Sequence, residues 1–176
     1  MQTSEIIEKA ERFCAKHDVI ERPVKIVNLC AAEGISVFEQ YLPENVSGFI
    51  VIQDDIFQHY ETGRLIVVNL SDSASRRRFT IAHELAHYIL HWDESHDYYA
   101  HRDAGQNTGI EQEANIFASC VLMPQPLVES SLDGLSEIFV EAPPFMWIDH
   151  IAKEFAVSRN AAQVRLEQLG LMRRKA

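Results

Sequence analysis

Apolar positions along this chain switch between the helical period and the strand period, and the order of the switches predicts the architecture. Ile6, Ile7, Ala10, Phe13 and Cys14 mark one face of an amphipathic helix. Pro23 to Glu33 reads as a short second helix with Pro at its start and Gly34 at its stop. Ile35 to Gln40 then alternates as a strand. Ser47–Ile52 and Leu65–Asn69 are two more β-rich runs, joined by a polar loop through Gln53-Asp54-Asp55 and Thr62-Gly63. Ser71, Asp72 and Ser73 offer N-cap oxygens for a helix running from Ser75 to His91. Phe79, Ala82, Ala86, Ile89 and Leu90 form its buried stripe, and Leu85 broadens it. A polar stretch rich in Tyr and Asp follows and reads as a loop.

Ala114, Phe117, Ala118, Val121 and Leu122 then mark a further buried helix, stopped by Pro124. Near the end, Ile148–Ala156, a turn at Val157-Ser158 and Arg159–Leu169 resemble a helix-turn-helix pair. Ala152, Phe155, Val157, Val164, Leu166 and Leu169 make up its apolar framework. Helix, strands, then helices predicts an α+β fold with a small, mostly antiparallel three-stranded sheet packed against helices. With no internal repeat or low-complexity linker, residues 1–176 read as one domain. Its core covers about 1–128 and its helical C-terminal segment about 144–171.

Composition narrows the class. No apolar run approaches the ~20 residues of a membrane span, and residues 1–18 lack a signal-peptide core. Cys14, Cys30 and Cys120 are odd in number and widely spaced, which predicts buried free thiols in a reducing compartment and a cytoplasmic location. The net charge of −10 is unevenly placed: Trp92 to Asp149 carries eleven acidic residues and one basic, Arg102. Such a lobe attracts a basic partner and repels nucleic acid, although solubilising charge is an equal reading. Arg159, Asn160, Gln163 and Arg165 on the last helix offer base or phosphate contacts. Against direct nucleic-acid binding stand the overall charge and the lack of a broad basic face.

The chemistry concentrates in His83-Glu84-Leu85-Ala86-His87. A helix puts residues four apart on one face, so His83 and His87 can aim two imidazoles at one metal ion with Glu84 beside them to handle a proton. Catalytic zinc usually takes a third protein ligand and leaves its fourth position to water. The candidates are His91, His96, His101, Glu111 and Glu113. His91 continues the same face but lies a further ~5–6 Å along the axis, too far for one straight helix to close a tetrahedron. His96 and His101 fall in the polar loop. The helix beginning near Glu111 is more promising, because it brings a carboxylate on a second buried helix.

Two strings together, Arg78-Phe79-Thr80-Ile81-Ala82-His83-Glu84-Leu85-Ala86-His87-Tyr88-Ile89-Leu90-His91 and Glu111-x-Glu113-Ala114-Asn115-x-Phe117-Ala118-x-x-x-Leu122-Met123-Pro124, resemble the ImmA/IrrE family of metallopeptidases. The resemblance runs over nearly the whole chain and implies a thermolysin-like minimal zincin core of the gluzincin type. In gluzincins the ligand Glu is followed four residues later by Asp or Asn, which can hold a ligand histidine. Glu111 with Asn115 has that spacing and Glu113 with Phe117 does not, so the implied ligands are His83, His87 and Glu111. Two imidazoles and a carboxylate favour zinc over manganese.

Zinc would lower the pKa of a water toward ~7, with Glu84 as general base and then acid in peptide hydrolysis. Tyr88, Tyr98, Tyr99, His96 and His101 are candidates to stabilise the oxyanion, and His91 is expected as a packed neighbour. The family implies as substrate a specific regulatory protein, such as a DNA-binding helix-turn-helix repressor encoded nearby on a mobile element or stress locus. The alternative is a non-proteolytic zinc-binding regulator, or an antitoxin-like partner.

Overall fold

The computed structural model describes residues 1–52, 63–92, 98–100, 108–138 and 143–173. In chain order the elements are α1 (Thr3–Lys16), α2 (Ile26–Ala32), β1 (Ser36–Gln40), β2 (Gly48–Ile52), β3 (Arg64–Asn69), α3 (Ala74–His91), β4 (Tyr98–Ala100), α4 (Thr108–Leu122), α5 (Gln125–Ile138), α6 (Pro144–Glu154) and α7 (Arg159–Gln168). A single helical turn, Leu171–Arg173, follows. The fold is α+β, as the sequence predicts.

The sheet has the order β1-β3-β2-β4. β1 runs parallel to β3, with Val37 opposite Ile66; β2 runs antiparallel to β3, with Ile50 opposite Ile66. The three predicted strands are all present, and a fourth joins them: Tyr98–Ala100, read from sequence as loop, pairs antiparallel with β2. Three residues are too few for an alternation to register. Their pairing follows from the edge that β2 offers, since unpaired strand edges attract a partner.

Helix α3 lies between this sheet and α4. Ser73 caps it, its Oγ accepting from Arg76 N at 3.3 Å. From Thr80 to His87 every residue is buried, so the predicted stripe widens to the whole circumference. Gly48 permits this depth: a Cβ there would sit 2.6 Å from Thr80 Cγ2 and 2.6 Å from the Val67 carbonyl oxygen. A side chain at that position would push β2 off the histidine helix. On the far side α4 packs on α1, with the Phe13 and Phe117 rings 5.7 Å apart. Pro124 ends α4 but also starts α5, for Leu127 N and Val128 N both donate to its carbonyl at 3.0 Å.

Two arginines, Arg78 partly buried and Arg165 buried, tie the C-terminal helices to this core. Arg78 of α3 donates to Ala156 O at 3.2 Å and to Val24 O at 2.9 Å. Arg165 of α7 is 3% exposed and donates from Nε to Met123 O at 3.0 Å and from Nη1 to Cys120 Sγ at 3.2 Å. This corrects the sequence reading of Arg165 as a nucleic-acid contact, because its guanidinium is spent inside the protein. Of the other three, Arg159 pairs with Asp149 at 2.8 Å and Gln163 with Glu167 at 2.9 Å. Val164, expected in the apolar framework, is instead exposed.

Cys14, Cys30 and Cys120 are free and buried. Burial, with Cys120 nearby, pushes the Cys14 thiol up to about 12, and burial pushes Cys30 to about 12 as well. These are packing groups, protonated and inert at neutral pH. Among the described residues no helix is long and apolar enough to cross a membrane.

Candidate metal centre

Three residues from two helices converge. His83 and His87, one turn apart on α3, bring their Nε2 atoms to 3.0 Å. Glu111, in the first turn of α4, sets one carboxylate oxygen 3.2 Å from His83 Nε2 and the other 3.3 Å from His87 Nε2. One donor atom from each lies within 4.8 Å of the others, and the histidines are buried. Zn–N bonds of 2.0–2.1 Å make the edge of a tetrahedron about 3.3 Å, so these separations are close to the donor–donor edges of a zinc coordination shell.

The protonation of the rings points the same way. His83 Nδ1–H donates to Asn115 Oδ1 at 2.9 Å, which leaves the lone pair of Nε2 facing the cluster. His87 Nδ1 lies 3.2 Å from His91 Nδ1, and His91 Nε2 lies 3.0 Å from Glu113 Oε2. A carboxylate accepts only, so His91 donates from Nε2. With His91 neutral, its Nδ1 accepts from His87 Nδ1–H, which turns the lone pair of His87 Nε2 toward the cluster. In these tautomers two imidazole lone pairs and a carboxylate face one another, an arrangement that suits a cation between them. The donor set therefore fits a borderline metal such as zinc.

His91 thus joins the chain of contacts behind His87, and Glu113 holds it. The sequence placed both beside the site but did not pair them; the available signal was His91 four residues after His87 and Glu113 two after Glu111. Glu84 is 2% exposed and adjacent in sequence to His83. Tyr88 stacks on Trp92, their rings 5.0 Å apart, beneath the Arg64 guanidinium. His96 and His101 lie outside the described residues, and Tyr98 and Tyr99 fall in β4.

Because Asn115 fixes the tautomer of His83, Asn115→Ala is expected to weaken zinc affinity by roughly 10–100-fold. Competition with a chromogenic chelator measures this, and an unchanged affinity would remove Asn115 from that role.

Residues 30–167 match the family model described as the IrrE N-terminal-like domain, Peptidase M78. The chain is also similar to the radiation response metalloprotease IrrE of Deinococcus radiodurans, at 30% identity over 109 residues. That match covers 59% of this chain and 31% of the relative, so the chain spans about a third of that protein's length. Both histidines and the α4 carboxylate fall within the matched family region, and the chain belongs to the IrrE N-terminal-like domain family of peptidases.

Proposed function

We propose that this chain is a zinc metalloendopeptidase whose metal is held by His83, His87 and Glu111. The observation that carries the reading is the convergence of two imidazole nitrogens and a carboxylate within 4.8 Å, with buried Glu84 next in sequence to one of them. Zinc bound there would acidify a water and polarise a peptide carbonyl. Glu84 would serve as the proton-transfer group, taking a proton from water and giving one to the departing amine, which must leave protonated. Asn115, and His91 with Glu113 behind it, hold the two imidazoles in the tautomer that faces the ion. Burial of α3 on both sides keeps these positions rigid, as a site built on packed helices requires.

The substrate in this reading is a regulatory protein of the cytoplasm, such as a DNA-binding helix-turn-helix repressor encoded nearby. The excess of acidic residues between Trp92 and Asp149 suits a basic protein partner. Among the described residues β4 is an edge of the sheet, the kind of place where an extended substrate segment adds as a further strand. The burial of Arg165 speaks against the last helix reading DNA in its own right.

Co-expression with the product of the neighbouring gene tests this. The expected result is a discrete fragment of that protein that disappears when a chelator is added and returns with zinc. A stable complex with no fragment would favour the non-proteolytic regulator instead.

A further inference from the structure

A cleft of about 340 Å³ opens between α2, β1 and the first half of α3, at the small end of the range for ligand sites. None of His83, His87 or Glu111 lines it. Its charge is opposite to that of the chain. Lys25, Arg77 and Arg78 line it against one carboxylate, Glu39, in a protein whose net charge is −10. A cleft lined mainly by one sign of charge focuses its field and gathers counter-ions.

The protein satisfies these three cations unequally. Arg77 donates from Nε to Glu39 Oε1 at 3.0 Å and from Nη1 to the Asp72 and Leu70 carbonyls at 2.6 and 3.4 Å, so Glu39 is already engaged. Lys25 pairs with Glu21 at 2.6 Å, but both side chains are 64% exposed, and such surface pairs are worth little. Arg78 is partly buried and meets carbonyls alone: Ala156 O through Nε, and Val24 O and Phe155 O through Nη2. Among the described residues no carboxylate pairs with it, and its Nη1 makes no hydrogen bond. Burial pushes its pKa below the usual arginine range, as befits a cation short of a counter-ion.

We propose that this cleft binds the phosphate of a small phosphomonoester. The lining carries an excess of two positive charges. A phosphomonoester, at about −1.5 to −2 near neutral pH, matches that excess, and a carboxylate or a phosphodiester does not. The dianion takes the open Nη1 of Arg78 and the Lys25 ammonium, since a guanidinium fork suits phosphate oxygens. Ile26, Val27 and Ile81 give a short apolar side for an organic body of a few carbons, and Asn28 an amide for its hydroxyls. Arg78 also binds the carbonyls that end α6, so the anion sits at the joint between the histidine helix and the C-terminal helices.

The test titrates the zinc-loaded full chain by calorimetry in a phosphate-free buffer. The probes are inorganic phosphate and glycerol 3-phosphate, with acetate, dimethyl phosphate and glycerol as controls. Glycerol 3-phosphate is expected to bind at least about tenfold tighter than acetate or dimethyl phosphate, and glycerol not at all. Lys25→Glu reverses an exposed charge, and Val27→Trp crowds the cleft from a position that is 49% exposed. Each is expected to keep the zinc content and the melting temperature, and to weaken glycerol 3-phosphate at least about tenfold. Phosphate can also coordinate zinc, and these variants separate the two places because neither alters His83, His87 or Glu111. Binding that survives both variants, or that acetate or dimethyl phosphate matches, overturns the proposal. So does a lack of binding by both phosphate and glycerol 3-phosphate at millimolar concentration. A phosphoserine peptide that binds more than about tenfold tighter than glycerol 3-phosphate overturns the small-molecule assignment in favour of a modified protein.

Discussion

Glu84→Gln is expected to leave one zinc per chain while lowering peptide hydrolysis by roughly 10²–10⁴-fold, the contribution of a positioned proton-transfer group. Glutamine keeps the length and shape of glutamate, so the packing around this 2% exposed side chain is retained. What it removes is the ability to take a proton from water and return one to the departing amine. The proposed metal ligands are other residues, His83, His87 and Glu111, so metal content measured by atomic emission should match wild type. Cleavage of the co-expressed partner should stop although the complex still forms. A variant that cuts within a few-fold of wild type would show that another group moves the proton, and Glu84 would lose its assigned role.

The parts of this architecture legible in the sequence are those whose signals are local and repeated. Helix α3 announces itself by its N-cap serine, its apolar stripe and its histidines four apart, and the three longer strands by alternation in Ile35–Gln40 and β-rich runs in the other two. The α4 carboxylate was harder, since Glu111 and Glu113 share one turn; only the Asn115 spacing separated them, and the structure brings Glu111 to the histidines and Glu113 to His91. Strand β4 was too short to alternate. Helix α5 is hidden in the sequence because Pro124 signals a stop, although its carbonyl also opens the next helix.

The misreading of α7 is of another kind. Residue type sends Val inward and Arg outward, yet Val164 is exposed and Arg165 is buried. Neighbouring positions on a helix differ by about 100°, so the two exchange roles when the helix turns to put Ala162, Leu166 and Arg165 against the core. That rotation is set by Met123 O and Cys120 Sγ, some forty residues earlier in the chain, which satisfy the guanidinium. No local pattern in α7 carries that information.

The other large effect concerns the carboxylate of α4. Glu111→Ala is expected to weaken zinc binding by more than about 100-fold, beyond the 10–100-fold typical of losing a supporting hydrogen bond. It removes both oxygens that face the two imidazole nitrogens at 3.2 and 3.3 Å, so the ion keeps only two protein ligands where catalytic zinc sites use three. Glu113→Ala takes away the acceptor of His91 Nε2–H and loosens the chain behind His87, but leaves all three donor atoms in place. Its effect belongs in the smaller range. Thermal unfolding with and without zinc separates the two, because a ligand held by the native state alone stabilises in proportion to the logarithm of its concentration over Kd. Wild type, Glu84→Gln and Glu113→Ala should each melt higher with micromolar zinc, and Glu111→Ala should not respond. If instead Glu113→Ala abolishes the response and Glu111→Ala keeps it, the ion is held by the other carboxylate. The tautomer assigned to His91 would then have to be reversed, since Glu113 could no longer be the acceptor that fixes it.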